Sequence, residues 1–261
     1  MADLNAVQYI LIALIFVWSG FVRSGLGFGG AVLSLPFLLL VLDQPLVFLP
    51  IIAVHLLVFS SLTIWMNNRK PSSAPGDGDA VSEGTVDWRY LWRILGIMIV
   101  PKLIGVFGLI TLPGNILSAI IFVIVALYSV SYIVNKPFRS NSKVVDAVFL
   151  MVGGYISGTS LIGAPLIIAV AAQHLPKEKL RDTLFALWFI LVMIKMGAFV
   201  WAGIDLQLIH HVWLLPCAAV GHVIGLQFHD RILKAETPIF FRILGAVLLV
   251  VSSIGMVSVL G

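Results

Sequence analysis

Apolar segments succeed one another along the chain at 6–23, 29–42, 45–66, 91–110, 115–134, 147–157, 163–175, 182–203, 207–227 and 238–260. Several reach the ~20 residues that a helix needs to cross a bilayer. None shows the ~10-residue alternation of barrel strands, so the pattern predicts membrane-spanning helices. The segments 29–42, 147–157 and 163–175 are too short to span alone. Each interrupted pair, 6–23 with 29–42 and 147–157 with 163–175, is therefore predicted to be a re-entrant or broken hairpin entering and leaving on one side. Such backbone persists at membrane depth only where protein buries it or a wet cavity receives it.

Composition agrees. The 261 residues are 60% hydrophobic and 11% charged, against roughly 25% charged in a soluble domain. The start, MADLNAVQYI, has no basic region before its apolar run, so the first segment is expected to remain in the mature protein. The pI near 9.3 is accounted for by basic cytoplasmic loops and implies no nucleic acid. With re-entrant hairpins and an outer N-terminus, the inner connections hold Arg69, Lys70, Arg89, Arg93, Lys136, Arg139, Lys143, Lys177, Lys179, Arg181, Arg231, Lys234 and Arg242. The outer connections hold no Lys or Arg, as the positive-inside rule requires. The three that remain, Arg23, Lys102 and Lys195, fall within apolar segments, whereas every Asp and Glu lies in a loop or at a segment edge. Three cations thus stand at membrane depth without a carboxylate beside them in sequence.

The chain also resembles itself. At an offset of 133, Gly20, Ser24, Gly25, Gly30 and Ala31 fall on Gly153, Ser157, Gly158, Gly163 and Ala164. At an offset of 120, VPKLIG (100–105) falls on VGHVIG (220–225), pairing Lys102 with His222 and Gly105 with Gly225. A hairpin plus three spans crosses an odd number of times, so the second copy would be inverted. The predicted fold is an all-α polytopic membrane protein of two inverted repeats, each a re-entrant or broken helix hairpin plus three transmembrane helices. Residues 1–135 form the first repeat, with a cytoplasmic loop at 69–90, and 136–261 the second. Within that loop, PSSAPGDGDAVSEGTVD (71–87) has the composition of a mobile linker. Inverted repeats with interrupted helices are the pattern of secondary transporters whose site lies near the midplane.

The run GLGFGGAVLSLPFL, a weaker glycine motif (GTSLIGAP) after the midpoint, and the two-repeat layout resemble the TauE/SafE family of sulfite and organosulfonate exporters. The resemblance covers nearly the whole chain. It implies export of a small sulfur oxyanion such as sulfite, sulfoacetate or a related sulfonate by a multi-pass protein of the bacterial inner membrane.

The residues themselves point to an anion site. In SGFVRSGLGFGG (19–30), Gly27, Gly29 and Gly30 let backbone turn and approach a ligand. A half-helix starting near Gly29 would aim its N-terminal N–H groups at an anion. In the second copy Ser157, Thr159 and Ser160 supply hydroxyls, Gly163 precedes the half-helix, and Pro165 suits its first turn. Arg23 offers a planar fork matched to oxyanions. The expected substrate site is therefore Arg23, Ser24, Gly27, Gly29, Gly30, Lys102, Ser157, Thr159, Ser160, Gly163 and Lys195, with the anion between two half-helix N-termini. Other readings stand beside it: Arg23 bonding carbonyls freed by the break, Lys102 snorkelling, and Lys195 packing on Trp188 or Trp201. Gly20, Gly105 and Gly225 read as helix packing. His55 and His222 lie within spans, either as structural hydrogen-bonding residues or as proton-coupling groups.

Several classes are excluded. The GxGxxG formed by Gly25, Gly27 and Gly30 lacks the strand–turn–helix of a dinucleotide site. His210 and His211 have no HxxxH or HExxH spacing, and Cys217 is alone, so no metal or cofactor is implied and a cysteine relay for thiosulfate uptake is disfavoured. Ser157 sits in GYISG rather than GxSG, which argues against an intramembrane hydrolase. The expectation is an alternating-access exporter, not an enzyme, with one repeat moving against the other. The expected partners are the anion, membrane lipid and a second copy in a homodimer. An anion channel and an uptake permease for sulfate- or thiosulfate-like anions are the alternatives.

Overall fold

The computed structural model describes residues 4–26, 29–68, 85–135, 138, 142–235 and 238–260. Among them all regular structure is α-helical: α1 (Ala6–Leu26), α2 (Leu35–Val41), α3 (Pro45–Asn68), α4 (Trp88–Thr111), α5 (Gly114–Ile133), α6 (Lys143–Ser160), α7 (Ala164–His174), α8 (Lys177–Trp201), α9 (Leu208–Ala235) and α10 (Pro238–Leu260). Seven of these, α1, α3, α4, α5, α8, α9 and α10, are long and apolar enough to cross a membrane. Side chains such as Leu14, Phe107, Trp201 and Val257 are exposed on them, as lipid-facing positions should be. The protein is a multi-pass helical membrane protein.

Each apolar segment of the sequence became a helix, but the ends moved for physical reasons. α6 begins at Lys143 because Ser142 caps it, accepting from Val145 N at 3.3 Å, with Asp146 in the first turn. α4 begins at Trp88 because Asp87, expected in the linker, accepts from Tyr90 N at 2.9 Å. α8 starts at Lys177 after Pro176, which draws Lys179 and Arg181 out of the expected inner loop and onto a helix. The second half-helix begins at Ala164 with Pro165 in its first turn, as expected. The first does not begin near Gly29. Residues 30–34 form turns, and α2 holds only seven residues from Leu35. Pro36, at the second helical position, has no N–H to extend a ladder back to Val32. Most of the 71–87 linker, and Gly27, lie outside the described residues.

Packing follows a simple exchange. α1 packs on α9 and α4 on α6; α5 packs on α10 and α3 on α8. Adding five to each label, and returning to α1 after α10, exchanges α1–α9 with α4–α6 and returns α5–α10 and α3–α8 to themselves. Lipid tails are as apolar as leucine, so helices associate through close packing, which small residues permit. In the α1–α9 seam a Cβ at Gly20 would stand 2.1 Å from the Ala218 carbonyl oxygen, at Gly221 1.9 Å from that of Val17, and at Gly225 2.4 Å from that of Phe21. In the α4–α6 seam, a Cβ at Gly105 would stand 2.3 Å from the Tyr155 oxygen and at Gly158 2.5 Å from that of Lys102. Gly20, Gly105 and Gly225 are therefore packing positions.

Candidate functional site

Both chain breaks lie deep in the bundle and face one another. At the first, Gly29 has φ +83°, a left-handed conformation suited to glycine. The following turn is pinned by hydrogen bonds: Ser19 Oγ (3.3 Å) and Ser34 Oγ both donate to the Gly30 carbonyl, and Trp18 Nε1 donates to Leu33 O at 3.1 Å. At the second break, Leu161 ends α6 with φ +63°. A leucine there costs about 1–2 kcal/mol relative to right-handed backbone, strain of the kind that collects at functional sites. Gly163 allows the tight return, since a Cβ on it would stand 2.1 Å from Gly153 O.

Between the breaks lies a cavity of ≈ 40 Å³. A water needs about 10–15 Å³ by this measure, so the space suits a few waters or one small anion. Arg23, Gly29, Gly30, Ser157, Leu161 and Gly163 form its polar and backbone side. Leu56 from α3 and Phe185, Trp188, Leu191 and Val192 from α8 form the apolar side. The N-terminus of α7 borders the cavity through Gly163 and Ala164, whereas that of α2 does not; the turn at 29–32 takes its place. The expected pair of facing half-helix N-termini is thus one N-terminus and one glycine turn.

Arg23 is 4% exposed and lies in the last turn of α1. Its guanidinium carbon stands 4.4 Å from the Phe59 ring centroid, a cation–π contact. Its Nε and Nη2 find no hydrogen-bond partner among the described residues, so it is not bonded there to carbonyls freed by the break. An unpaired charge at this depth costs several kcal/mol unless something completes it.

The two serines matched by the sequence offset meet the two residues matched by the other. Lys102, fully buried, donates from Nζ to Ser157 O at 2.9 Å and to Ser157 Oγ at 3.1 Å. Ser24 Oγ shares a short hydrogen bond with His222 Nδ1. Each serine carbonyl lies near a helix C-terminus, where a cation is favoured. Lys102 supplies that cation to α6. For α1 it is Arg181, whose Nη2 donates to Ser24 O at 3.2 Å. Arg181 was not expected from the sequence, where a charge at a segment edge reads as loop.

The remaining candidates divide. Lys195 is fully buried on α8, one turn beyond Leu191 and Val192, and its Nζ has no partner among the described residues. It does not line the cavity. Neither do Thr159 and Ser160, whose hydroxyls donate to Ile156 O at 3.1 and 3.0 Å on their own helix. Ser24 and Lys102 stand behind the cavity wall rather than in it. His55 and His222 are buried and both pack on Phe59, with ring centroids 6.3 and 4.8 Å away. Gly27 lies outside the described residues. Among these residues no group of three or more His, Cys, Asp or Glu side chains is arranged to hold a metal.

The family model described as "Sulfite exporter TauE/SafE" matches residues 11–256. Neither a curated protein nor a solved structure matches the chain.

Proposed function

The chain belongs to the sulfite exporter TauE/SafE family, and on that premise we propose that it exports a small sulfur oxyanion, either sulfoacetate or a related organosulfonate or sulfite, across the bacterial inner membrane. The anion sits in the cavity between the two breaks. The observation that carries this reading is Arg23: a guanidinium at membrane depth, on the cavity wall, with two N–H groups awaiting acceptors. Its flat fork suits two oxygens of a sulfonate. The glycine turn at Gly29 and Gly30 and the α7 N-terminus bring backbone close to the same space.

The energetics favour an exporter. Each negative charge leaving a cell is driven outward by an inside-negative potential, which at 100 mV contributes about 2.3 kcal/mol. We infer alternating access on a scaffold of two inverted repeats, residues 1–135 and 136–261. The exchange of packing partners supports the repeats, and one broken exchange supports the alternation. α2 packs on α10, but at the equivalent place between α7 and α5 lies an apolar groove of ≈ 530 Å³, lined by Leu127, Tyr128, Phe149, Val152 and Leu166 among others. Equivalent elements in unequal positions are what one end-state of a two-state carrier requires.

The test is binding and flux with purified, reconstituted protein. Sulfoacetate, sulfite, sulfate, isethionate and acetate are compared for binding, then for efflux from proteoliposomes. A sulfur oxyanion is expected to bind over acetate. Arg23→Ala is expected to lower its transport on the order of 10²-fold, the loss of one desolvated charge-assisted contact, and Arg23→Lys to restore part of it. Equal transport by wild type and Arg23→Ala defeats the assignment.

A further inference from the structure

The bundle contains imidazoles that the anion site leaves unused. On α9, His222 is 3% exposed; Nδ1 is held by Ser24 and Nε2 has no partner among the described residues. On α3, His55 is 2% exposed, and its Nε2 is likewise unpartnered. Nearer the start of α9, half-buried His211 binds Leu206 O through Nε2 at 3.2 Å and leaves Nδ1 unpartnered. The His211 and His55 rings meet edge to face, centroids 5.4 Å apart. His55 and His222 are separated by Phe59, against which both pack. A file of imidazoles, interrupted by one aromatic ring, therefore runs from the N-terminal end of α9 to the residue behind Arg23.

Every element around His222 bears on its charge. α1 brings Arg23 and Ser24, α8 brings Arg181, and α3 brings Phe59, with His55 on the far side of that ring. Asp182 acts on Arg181 from the same helix. His55 in turn faces Arg23, His211 and the Phe16 ring. A proton on His222 would place a third positive charge beside two guanidiniums, an arrangement that an adjacent anion balances. By reciprocity, the proton then strengthens anion binding as much as the anion strengthens proton binding. The pseudo-equivalent position in the other half holds Lys102, an amine bonded to both the hydroxyl and the carbonyl of Ser157. Of the two, His222 is the residue type that ordinarily titrates near neutral pH.

We propose that His222 binds a proton together with the anion, that His55 and His211 are its route of release toward the N-terminal end of α9, and that Phe59 gates the step between His222 and His55. One proton then moves with each anion in the same direction. This rests on the transport reading above and adds the co-substrate to it.

The experiment uses sulfoacetate, whose carboxyl, with an ordinary pKa of about 4, carries no proton at neutral pH. Proteoliposomes loaded with a pH-sensitive dye report proton movement while labelled sulfoacetate leaves. For wild type, the compartment losing sulfoacetate should become more alkaline, and binding should tighten on acidification by up to about tenfold per pH unit. His222→Asn, whose amide reaches Ser24 much as Nδ1 does, should carry sulfoacetate without protons and bind it independently of pH. His55→Gln and His211→Gln should slow proton-coupled flux while leaving the pH dependence of equilibrium binding intact, a split that a purely structural role would not produce. Wild-type flux without proton movement, or full coupling in His222→Asn, overturns the proposal and leaves the transport reading standing. Should His222→Asn not fold, calorimetry of wild type in buffers of different ionisation enthalpy decides: proton uptake on binding supports the proposal, and its absence overturns it. Absence of flux for both sulfoacetate and sulfite overturns the transport reading itself.

Discussion

Ser24 and Ser157 occupy equivalent places at the ends of α1 and α6, yet their surroundings differ. At Ser157 a single ammonium, Lys102, serves both the hydroxyl and the carbonyl. At Ser24 the same two tasks are divided: His222 holds the hydroxyl and Arg181 the carbonyl. The first half also adds Arg23, which faces the cavity with unfilled donors, where the second half presents Ser157, Gly163 and the start of α7. At the two matched serines the hydroxyl and the carbonyl are both engaged, but by different side chains. One serine is held by a lysine alone, the other by an imidazole and a guanidinium.

Substitutions can break or sharpen this contrast. The largest effect is expected from Lys102→Met, which removes both bonds to Ser157. Transport should fall on the order of 10²-fold, and stability by about 2 kcal/mol as read by thermal unfolding in detergent. Lys195→Met should separate function from stability. Its ammonium has no bond to lose among the described residues, so thermal stability should rise, by about 1–4 kcal/mol as for other buried charges replaced by apolar groups, while transport falls on the order of tenfold. Unchanged transport would assign Lys195 to the scaffold. Ser24→Ala and Ser157→Ala should each cost about 1 kcal/mol, but only Ser24→Ala should alter the pH profile of sulfoacetate binding, because Lys102 keeps the Ser157 carbonyl. The smallest effects are expected at Thr159→Ala and Ser160→Ala, within about 0.5 kcal/mol in stability and with efflux rates close to wild type, since those hydroxyls serve their own helix.

Much of the fold was legible in the sequence because hydropathy decides it: each apolar run became a helix. The ends were less so. Lys143–Asp146 and Lys177–Asp182 are helical turns whose charges a hydropathy reading assigns to loops, and caps such as Ser142 and Asp87 declare them only weakly. Pro36 was in plain view, yet its effect on where α2 begins depends on how the preceding turn is bonded. In the site, Arg23 and the glycine turn stood out because charge and glycine are conspicuous in an apolar run. The offsets that paired Ser24 with Ser157 and Lys102 with His222 also foreshadowed who meets whom, although not that Lys102 would stand behind the wall. Arg181 and His211 were missed because each sits near a helix end, where charge and histidine are ordinary. Only the fold tells that one reaches the end of α1 and the other the ring of His55.

The glycine seams bear on how such a carrier can rearrange. α1 belongs to the first half and α9 to the second, and α4 and α6 are likewise drawn from opposite halves, yet each couple is locked carbonyl against Cα. Sliding one half as a block past the other would shear both locks at once. Under the proposed alternating access, the bodies that shift would therefore each join helices of both halves, and the broken segments at Gly29 and Leu161 would be the joints between them.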